Sequence, residues 1–502
     1  MNSSTGSDRN GAWWTSRLAV PVVTAAAALR MALLVTTLVR TGTSVITSGD
    51  TASYLEPGRN LLFHGRFFTG LLPEIDRTPG YPLSLAVASL PGVAIAALMQ
   101  VILSAFTVVL IWRLARAVFE DDRIALTAAW LFVFEPVSII YSVRLLPETL
   151  FVALLLLSLE RMVVFLRYGR LRILVAAGLW LTAATFVRPV SYYLPVALAL
   201  GLFVALARVP GLRWKAPAVL LLCVLPLLAA WQARNFLETG FGGFSSIVVR
   251  NLYFYQAAEV AARIEHRSFA EEQSAFGYPD EQTYLARHPE QTGWSQSRRV
   301  AFMGSEARRV LGAHPGTYLK MHLEGSMVVA FTPCAADLLR LVGAYPEDGP
   351  KRVVNEGPWR SAIRLAQAHP WTSALMAALE LVLLGYYLLA ARGMLSGCAR
   401  SEVLWLLLGV FLYFLAVSGG AQAVGRYRLP VMPAVLVLAA AGLRSRSTPE
   451  RRTTSCDERR CSQSRTPKED RMITLSANGL SLVDGWIKKR GGIICEQRLP
   501  VI

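Results

Sequence analysis

The first long polar stretch of the chain brings acids and arginines together in a pattern that suits proton transfer beside a phosphate. It reads Ser48-Gly49-Asp50-Thr51-Ala52-Ser53-Tyr54-Leu55, then Gly58-Arg59-Asn60-Leu61-Leu62, and ends on Glu74, Asp76 and Arg77-Thr78-Pro79-Gly80-Tyr81-Pro82. A carboxylate such as Asp50 can take the proton of a hydroxyl, and an arginine such as Arg77 can neutralise a phosphate that leaves. The plainer reading of Asp50 is a helix N-cap, because aspartate ahead of a helix over 52–63 is ordinary capping chemistry. The context favours the sharper one. Pro79 and Pro82 around Gly80-Tyr81 fix a turn that leads straight into an apolar segment. The loop therefore runs along a membrane surface and returns Glu74, Asp76 and Arg77 to it.

The elements that must position these residues are membrane helices. Hydrophobic residues make up 54% of the 502-residue chain and charged residues only 17%, against roughly a quarter charged in soluble globular chains. Runs close to the 20 or so apolar residues that a helical span needs occur near 18–39, 92–112, 124–141, 148–166, 172–187, 190–207, 216–232, 372–391, 403–418 and 427–443. The expected fold is an all-α polytopic membrane protein of about ten transmembrane helices, with a mixed, mainly helical extracytoplasmic loop domain.

Orientation follows from parity. With the N-terminus (1–17) cytoplasmic, every second loop is basic: Arg113, Arg116 and Arg123; Arg167, Arg170 and Arg172; Arg208, Arg213 and Lys215; Arg392 and Arg400; and the tail from Arg444. This is the distribution that the positive-inside rule demands. It places the transmembrane module at 18–232 with a first outer loop at 41–91, a large extracytoplasmic segment at 233–371 and the last spans at 372–443. Within the large segment, 297–313 and 315–329 carry apolar residues at helical spacing, with Pro315 suited to a first turn. The stretch 327–345 suits an interfacial or buried helix rather than a span, because of Asp337 and Arg340. The tail 444–502 reads as basic and disordered.

The formal net charge of +17 is spent in these short loop clusters, which argues against a nucleic-acid partner. The six cysteines show neither zinc spacing nor a disulfide framework. Trp13 and Trp14 read as an aromatic belt anchor. Arg188, Arg234, Arg426 and Arg428 lie at predicted span ends, where snorkelling is the ordinary explanation. By parity, however, all of them fall on the outer side, where positive charge is disfavoured, and an anionic ligand is a physical reason to hold them there. Glu148, at the start of a span, is by the same logic either a cap or part of a site. Glu135, late in the third span, either faces that cavity or caps the segment after it.

The first-loop pattern Gly-Asp-x-x-x-Tyr-Leu…Gly-Arg-Asn-Leu-Leu…Arg-x-Pro-Gly-Tyr-Pro resembles the first outer loop of bacterial GT-C glycosyltransferases. The similarity is to the dolichyl-phosphate-mannose protein mannosyltransferase-like group, which includes the aminoarabinose transferases. Leu146-Pro147-Glu148-Thr149-Leu150-Phe151, Phe186-Val187-Arg188-Pro189, Trp231-Gln232-Ala233-Arg234-Asn235 and Gly425-Arg426-Tyr427-Arg428-Leu429-Pro430 resemble further family motifs in the same order, over roughly 17–443. Two departures stand out. Gly49-Asp50 replaces two adjacent acids, and Pro147 precedes Glu148 where the family more often has the acid first.

The resemblance implies a multi-pass enzyme of the cell (inner) membrane. It would move a sugar, with inversion, from a polyprenyl-phosphate donor to a lipid, protein or polysaccharide acceptor on the outer face. Asp50 would be the catalytic base, with Glu148 a second catalytic candidate. Tyr54, Arg59, Glu74, Arg77, Tyr81, Arg188, Arg234, Arg426 and Arg428 would bind substrate, and some relatives use a divalent cation (Mg2+ or Mn2+), for which Asp76 is the candidate ligand. Two other classes share some of these features. An O-antigen ligase or polymerase would have outer arginines and a long outer loop but not this first loop. A secondary transporter would show internal symmetry and mid-span carboxylates, neither of which is visible.

Overall fold

The computed structural model describes residues 19–47, 49–345 and 366–444. The expected N-terminal segment with Trp13 and Trp14, and the basic tail beyond Arg444, lie outside the described residues. The described chain is helical throughout, apart from one two-stranded antiparallel hairpin, β1 (Phe68–Thr69) with β2 (Leu72–Pro73).

Each expected apolar run is helical, but the run at 124–141 is broken into two helices. The chain opens with α1 (Ala19–Arg40), and the first polar loop then contributes α2 (Gly49–His64), the hairpin and α3 (Gly80–Ala88). Next come α4 (Val93–Phe119), α5 (Asp122–Val133), α6 (Pro136–Val143), α7 (Glu148–Tyr168), α8 (Leu171–Val187) and α9 (Leu194–Ala205). Short α10 (Pro210–Arg213) leads into α11 (Lys215–Thr239). Five helices are long and apolar enough to cross a membrane, or six if α5 and α6, bent by 54° at their junction, form one span. Shorter apolar helices at α8, α9 and two C-terminal positions complete the bundle.

The break between α5 and α6 has a local cause. Pro136 cannot donate to the preceding turn, and the Glu135 carboxylate accepts from Val137 N and Ser138 N, so it caps α6. Of the two roles open to Glu135, the structure shows the cap. At the start of α5 the Asp121 side chain takes the N–H groups of Arg123 and Ile124 in the same way.

The segment after α11 folds as α12 (Ile247–Asn251), a π-helical turn (Leu252–Ala257), α13 (Ala258–Glu265), α14 (Phe269–Ala275), α15 (Glu281–Arg287), α16 (Gln296–Ala313), α17 (Pro315–Phe331) and α18 (Ala335–Leu341). Pro315 does occupy the first turn of α17. The stretch 327–345 differs from the expected single helix. It breaks at 332–334, because Arg428 takes the carbonyls of Val329, Ala330 and Thr332, which ends α17. The remaining membrane helices are α19 (Pro370–Leu395), α20 (Ser401–Val417) and α21 (Met432–Arg444). α19 packs along α21, α7 along α8, and α4 against α1, α5 and α7. The buried core they share includes Phe132, Phe151, Phe165 and Phe414.

Candidate functional site

The sequence motifs converge because backbone segments approach each other more closely than a side chain would allow. Gly58 of α2 lies against the Pro82 carbonyl of α3, where a Cβ would clash. A Cβ on Gly80 would stand 2.7 Å from the Phe186 carbonyl oxygen, so the Pro-Gly-Tyr-Pro turn packs on the Phe-Val-Arg-Pro turn. Leu145 N donates to the Ile46 carbonyl (3.0 Å) and Thr51 Oγ1 to the Leu145 carbonyl (3.2 Å), which ties the first loop to the segment ahead of Glu148. Arg234 donates to the carbonyls of Glu74 and Phe67, both at 2.8 Å, and so fastens the exit of α11 to the hairpin.

These ties surround a cavity of about 1050 Å³. Asp50, Tyr54, Glu74, Asp76, Arg77, Glu148, Arg188 and Arg426 all line it. Asp50 sits in the first turn of α2 with its side chain 42% exposed, between Arg77 Nη2 at 3.2 Å and Arg426 Nη2 at 3.4 Å. Arg77 also donates to Tyr54 Oη (3.0 Å) and Ser53 Oγ (2.9 Å), and its guanidinium lies 4.3 Å from the centre of the Tyr54 ring. Glu148 is buried at the start of α7. Its Oε1 stands 3.3 Å from Arg188 Nη1 and 3.6 Å from Arg426 Nε, while Oε2 has no partner.

A buried carboxylate left half-satisfied is costly unless strongly attracting charges surround it. Here the charges are two arginines that face the cavity. Burial alone would lower the Arg426 guanidinium; Glu148, Tyr427 and Tyr141 together outweigh it and hold Arg426 well above its ordinary value, so it stays charged. Arg188 is flanked by the rings of Tyr427 (5.5 Å) and Phe151 (5.8 Å). The result is a positively charged corner in which Arg188 and Arg426 are held by long contacts of 3.3–3.6 Å.

At the other end of the cavity, Asp76 accepts from Ser246 Oγ and from Arg250 Nη1 (2.9 Å). Glu74 accepts from Thr69 Oγ1 and from the backbone N–H groups of Asp76 and Arg77. Burial, reinforced by Asp76, raises its carboxyl above the usual range against the pull of those hydrogen bonds. Among the described residues, no group of three or more His, Cys, Asp or Glu is placed to hold a metal ion. A divalent cation of this kind is held octahedrally by one or two carboxylates together with waters and phosphate oxygens. A cation at Asp76 would have to displace Arg250 and Ser246, and one at Asp50 would have to displace Arg77. Both acids are engaged by protein groups in this arrangement, and no step below passes through a cation.

The other expected residues lie elsewhere. Arg59 is exposed on α2, outside the cavity lining. Tyr81 is buried behind Tyr54, ring to ring at 5.0 Å, with an unpartnered hydroxyl. Arg234 and Arg428 are occupied with backbone carbonyls and do not reach the cavity wall. The cavity also contains residues that the sequence did not single out: Arg250, the π-turn residues Phe254, Tyr255 and Gln256, Tyr278, Tyr318, His322, Ser418 and Gln422. A π-turn leaves no compositional mark, though such turns cluster at functional sites. The Gly419-Gly420 pair was the available hint.

Residues 83–232 match the family model of dolichyl-phosphate-mannose-protein mannosyltransferase. That stretch contains Glu148 and Arg188; Asp50, Arg77 and Arg426 lie outside it. One similar solved structure is archaeal oligosaccharyltransferase AglB from Archaeoglobus fulgidus in complex with an inhibitory peptide and a dolichol-phosphate. It has a TM-score of 0.46 at 15% identity, over 86% of this chain and 50% of that one. Another Archaeoglobus fulgidus oligosaccharyltransferase structure, in the apo form, gives 0.45 at 13% identity over 86% and 51%. ArnT from Cupriavidus metallidurans in the apo state gives 0.33 at 14% identity over 83% and 76%. The chain spans about half the length of the two oligosaccharyltransferase chains. No curated protein matches the chain in sequence. The resemblance to GT-C glycosyltransferases that the motifs suggest is thus found independently in the family match.

Proposed function

We propose that this membrane protein is a glycosyltransferase that moves a sugar, with inversion, from a polyprenyl-phosphate donor to an acceptor hydroxyl on the outer face of the cytoplasmic membrane. The observation that carries the reading is the cavity corner itself. One accessible carboxylate, Asp50, stands beside Arg77 and Arg426, and Arg188 completes the positive rim. In the step that this arrangement suits, Asp50 takes the acceptor's proton while the acceptor oxygen bonds to the anomeric carbon. The bond from that carbon to the phosphate oxygen breaks, and the electron pair leaves on the lipid phosphate, which the arginines neutralise.

Glu148 acts through its neighbours. Buried and paired with Arg188 and Arg426, it is a positioning residue that keeps both guanidiniums aimed at the cavity. Charge neutralisation falls to arginines, which suits a donor set with no vacant carboxylate pair. The match of residues 83–232 to a lipid-phosphate-sugar transferase family supports the donor class.

The test is transfer of radiolabelled sugar from polyprenyl-phosphate donors in membranes, for wild type, Asp50→Asn and Asp50→Ala at equal protein level. Wild type should form labelled product, and both variants should lose it by at least about 100-fold. Full activity in both variants would remove Asp50 from the reaction. The absence of turnover with any such donor would overturn the donor class.

A further inference from the structure

The segment joining α20 to α21, Ser418–Arg428, crosses the cavity as a glycine strap. Gly420 has φ +91, a backbone conformation that L side chains rarely adopt, and a Cβ there would collide with the Gln256 amide. Gly325 of α17 lies directly on the Gly420 backbone. Gly419 faces the carbonyl and ring of His322, and Gly425 faces the Thr332 carbonyl and Cys334. The strap is therefore clamped along its length, and four of its residues line the cavity: Ser418, Gln422, Tyr427 and Arg426, which reaches Asp50.

Gln422 belongs to no part of the mechanism above, yet its orientation is fixed. Gln256, buried in the π-turn, donates through Nε2 to the Gly419 carbonyl at 3.4 Å, which determines which end of that amide is nitrogen. The same nitrogen donates to Gln422 Oε1 at 2.6 Å, and Ala421 N donates to Gln256 Oε1 at 3.5 Å. The Gln422 oxygen is thereby turned toward Gln256. Its Nε2, with two N–H donors, has no protein partner among the described residues, in a half-buried position on the cavity wall. The surroundings are uncharged and hydrogen-bonding: Tyr255 donates to Tyr278 Oη at 3.1 Å, and Tyr318 and His322 complete that wall.

We infer that Gln422, held by Gln256 and the glycine strap, is a sugar-hydroxyl binding residue, its amide N–H donating to one ring hydroxyl of the donor. The inference rests on the transferase reading and deepens it. The ring of a phosphate-linked sugar is one bond from the phosphate, so its contacts must adjoin the arginine corner. Gln422 and Arg426 lie on the same clamped segment, so one rigid element sets the distance between phosphate and ring. An oriented amide donor suits a hydroxyl oxygen, and the aromatic wall suits the apolar face of the ring.

The test is a cycle between the residue and the ligand. Wild type and Gln422→Leu are assayed with the polyprenyl-phosphate hexose that the protein transfers and with its monodeoxy analogues, one for each ring hydroxyl. One deoxy donor should lose about tenfold in kcat/KM with wild type, as expected for removal of one neutral hydrogen bond. With Gln422→Leu that same analogue should perform like the parent, while the remaining analogues keep their wild-type ratios. Gln256→Leu, which frees the Gln422 amide to rotate, should blunt the discrimination without abolishing transfer. If Gln422→Leu slows every donor by the same factor, Gln422 only supports the strap and the inference falls. A change confined to the KM of the acceptor would overturn it as well. No turnover of any donor by wild type would instead remove the transferase reading on which it stands.

Discussion

Two arginines of this molecule, Arg30 and Arg426, differ in what surrounds them. Arg30, in the middle of α1, is fully buried. Its Nε donates to Ser104 Oγ (2.8 Å), its Nη1 to the carbonyls of Ala26 and Val133, and its Nη2 to the Phe132 carbonyl and Ser138 Oγ (2.9 Å). All five N–H donors of the guanidinium are thus engaged, two of them by carbonyls of the last turn of α5. Arg426 pairs with two carboxylates, at 3.4 and 3.6 Å, and lies against the Tyr427 ring at 5.3 Å; its Nε falls short of a proper hydrogen bond, and it faces the cavity. A saturated arginine closes a fold, whereas a loosely held one retains donors for a ligand. The difference lies in unmet hydrogen-bonding capacity rather than in charge or depth.

That contrast can be attacked from several sides. The largest effect expected on the cavity side, beyond Asp50, is at Glu148. Glu148→Gln should lower kcat about 100-fold, because Arg188 and Arg426 lose the charge that aims them. It should also tighten inhibition by free polyprenyl phosphate, since the phosphate no longer competes with a carboxylate. Weaker inhibition would show that Glu148 does not restrain the arginines. Next is the strap: Gly420→Ala should cost about tenfold in kcat/KM with a lowered melting temperature, because positive φ and contact with Gln256 both oppose a Cβ. An unaffected variant would mean that the strap is not clamped.

Arg428→Met supplies the matching test on the fold side. It strands the carbonyls of Val329, Ala330 and Thr332 and should cost about 2 kcal/mol of stability, while activity per folded molecule stays within threefold. A large loss of activity at unchanged stability would move Arg428 into the site. The smallest effect is expected from chelation. EDTA should change the transfer rate by less than twofold; a tenfold loss restored by Mg2+ or Mn2+ would place a cation in a donor set now closed by arginines.

The sequence carried the helical runs well, because run length and apolarity are properties of the chain alone. Every expected run is helical, although the run at 124–141 breaks in two and, among the described residues, five or six helices, not ten, are long and apolar enough to cross a membrane. The residues around the cavity were legible where charge sat against the expected membrane topology: Asp50, Arg77, Glu148, Arg188 and Arg426 all line it. Arg426 and Arg428 could not be told apart. They lie two positions apart in one motif, and only the break in α17 turns the second toward backbone carbonyls. Arg30 attracted no notice, since a lone arginine in an apolar run gives no sign of the serines and carbonyls that will meet it. Gln256, His322 and Gln422 were invisible for a different reason. Neutral polar residues have no pattern of their own, and their placement depends on a π-turn and on glycine contacts formed across long stretches of chain.

The most direct test sets the two arginines side by side: Arg426→Gln and Arg30→Gln, each measured for melting temperature in detergent and for sugar transfer per folded molecule. The account predicts that Arg426→Gln loses transfer by about 100-fold or more at an unchanged melting temperature. Arg30→Gln should melt early yet transfer at close to the wild-type rate while folded. The reverse pattern, with Arg426→Gln unstable but active and Arg30→Gln stable but inert, would contradict it.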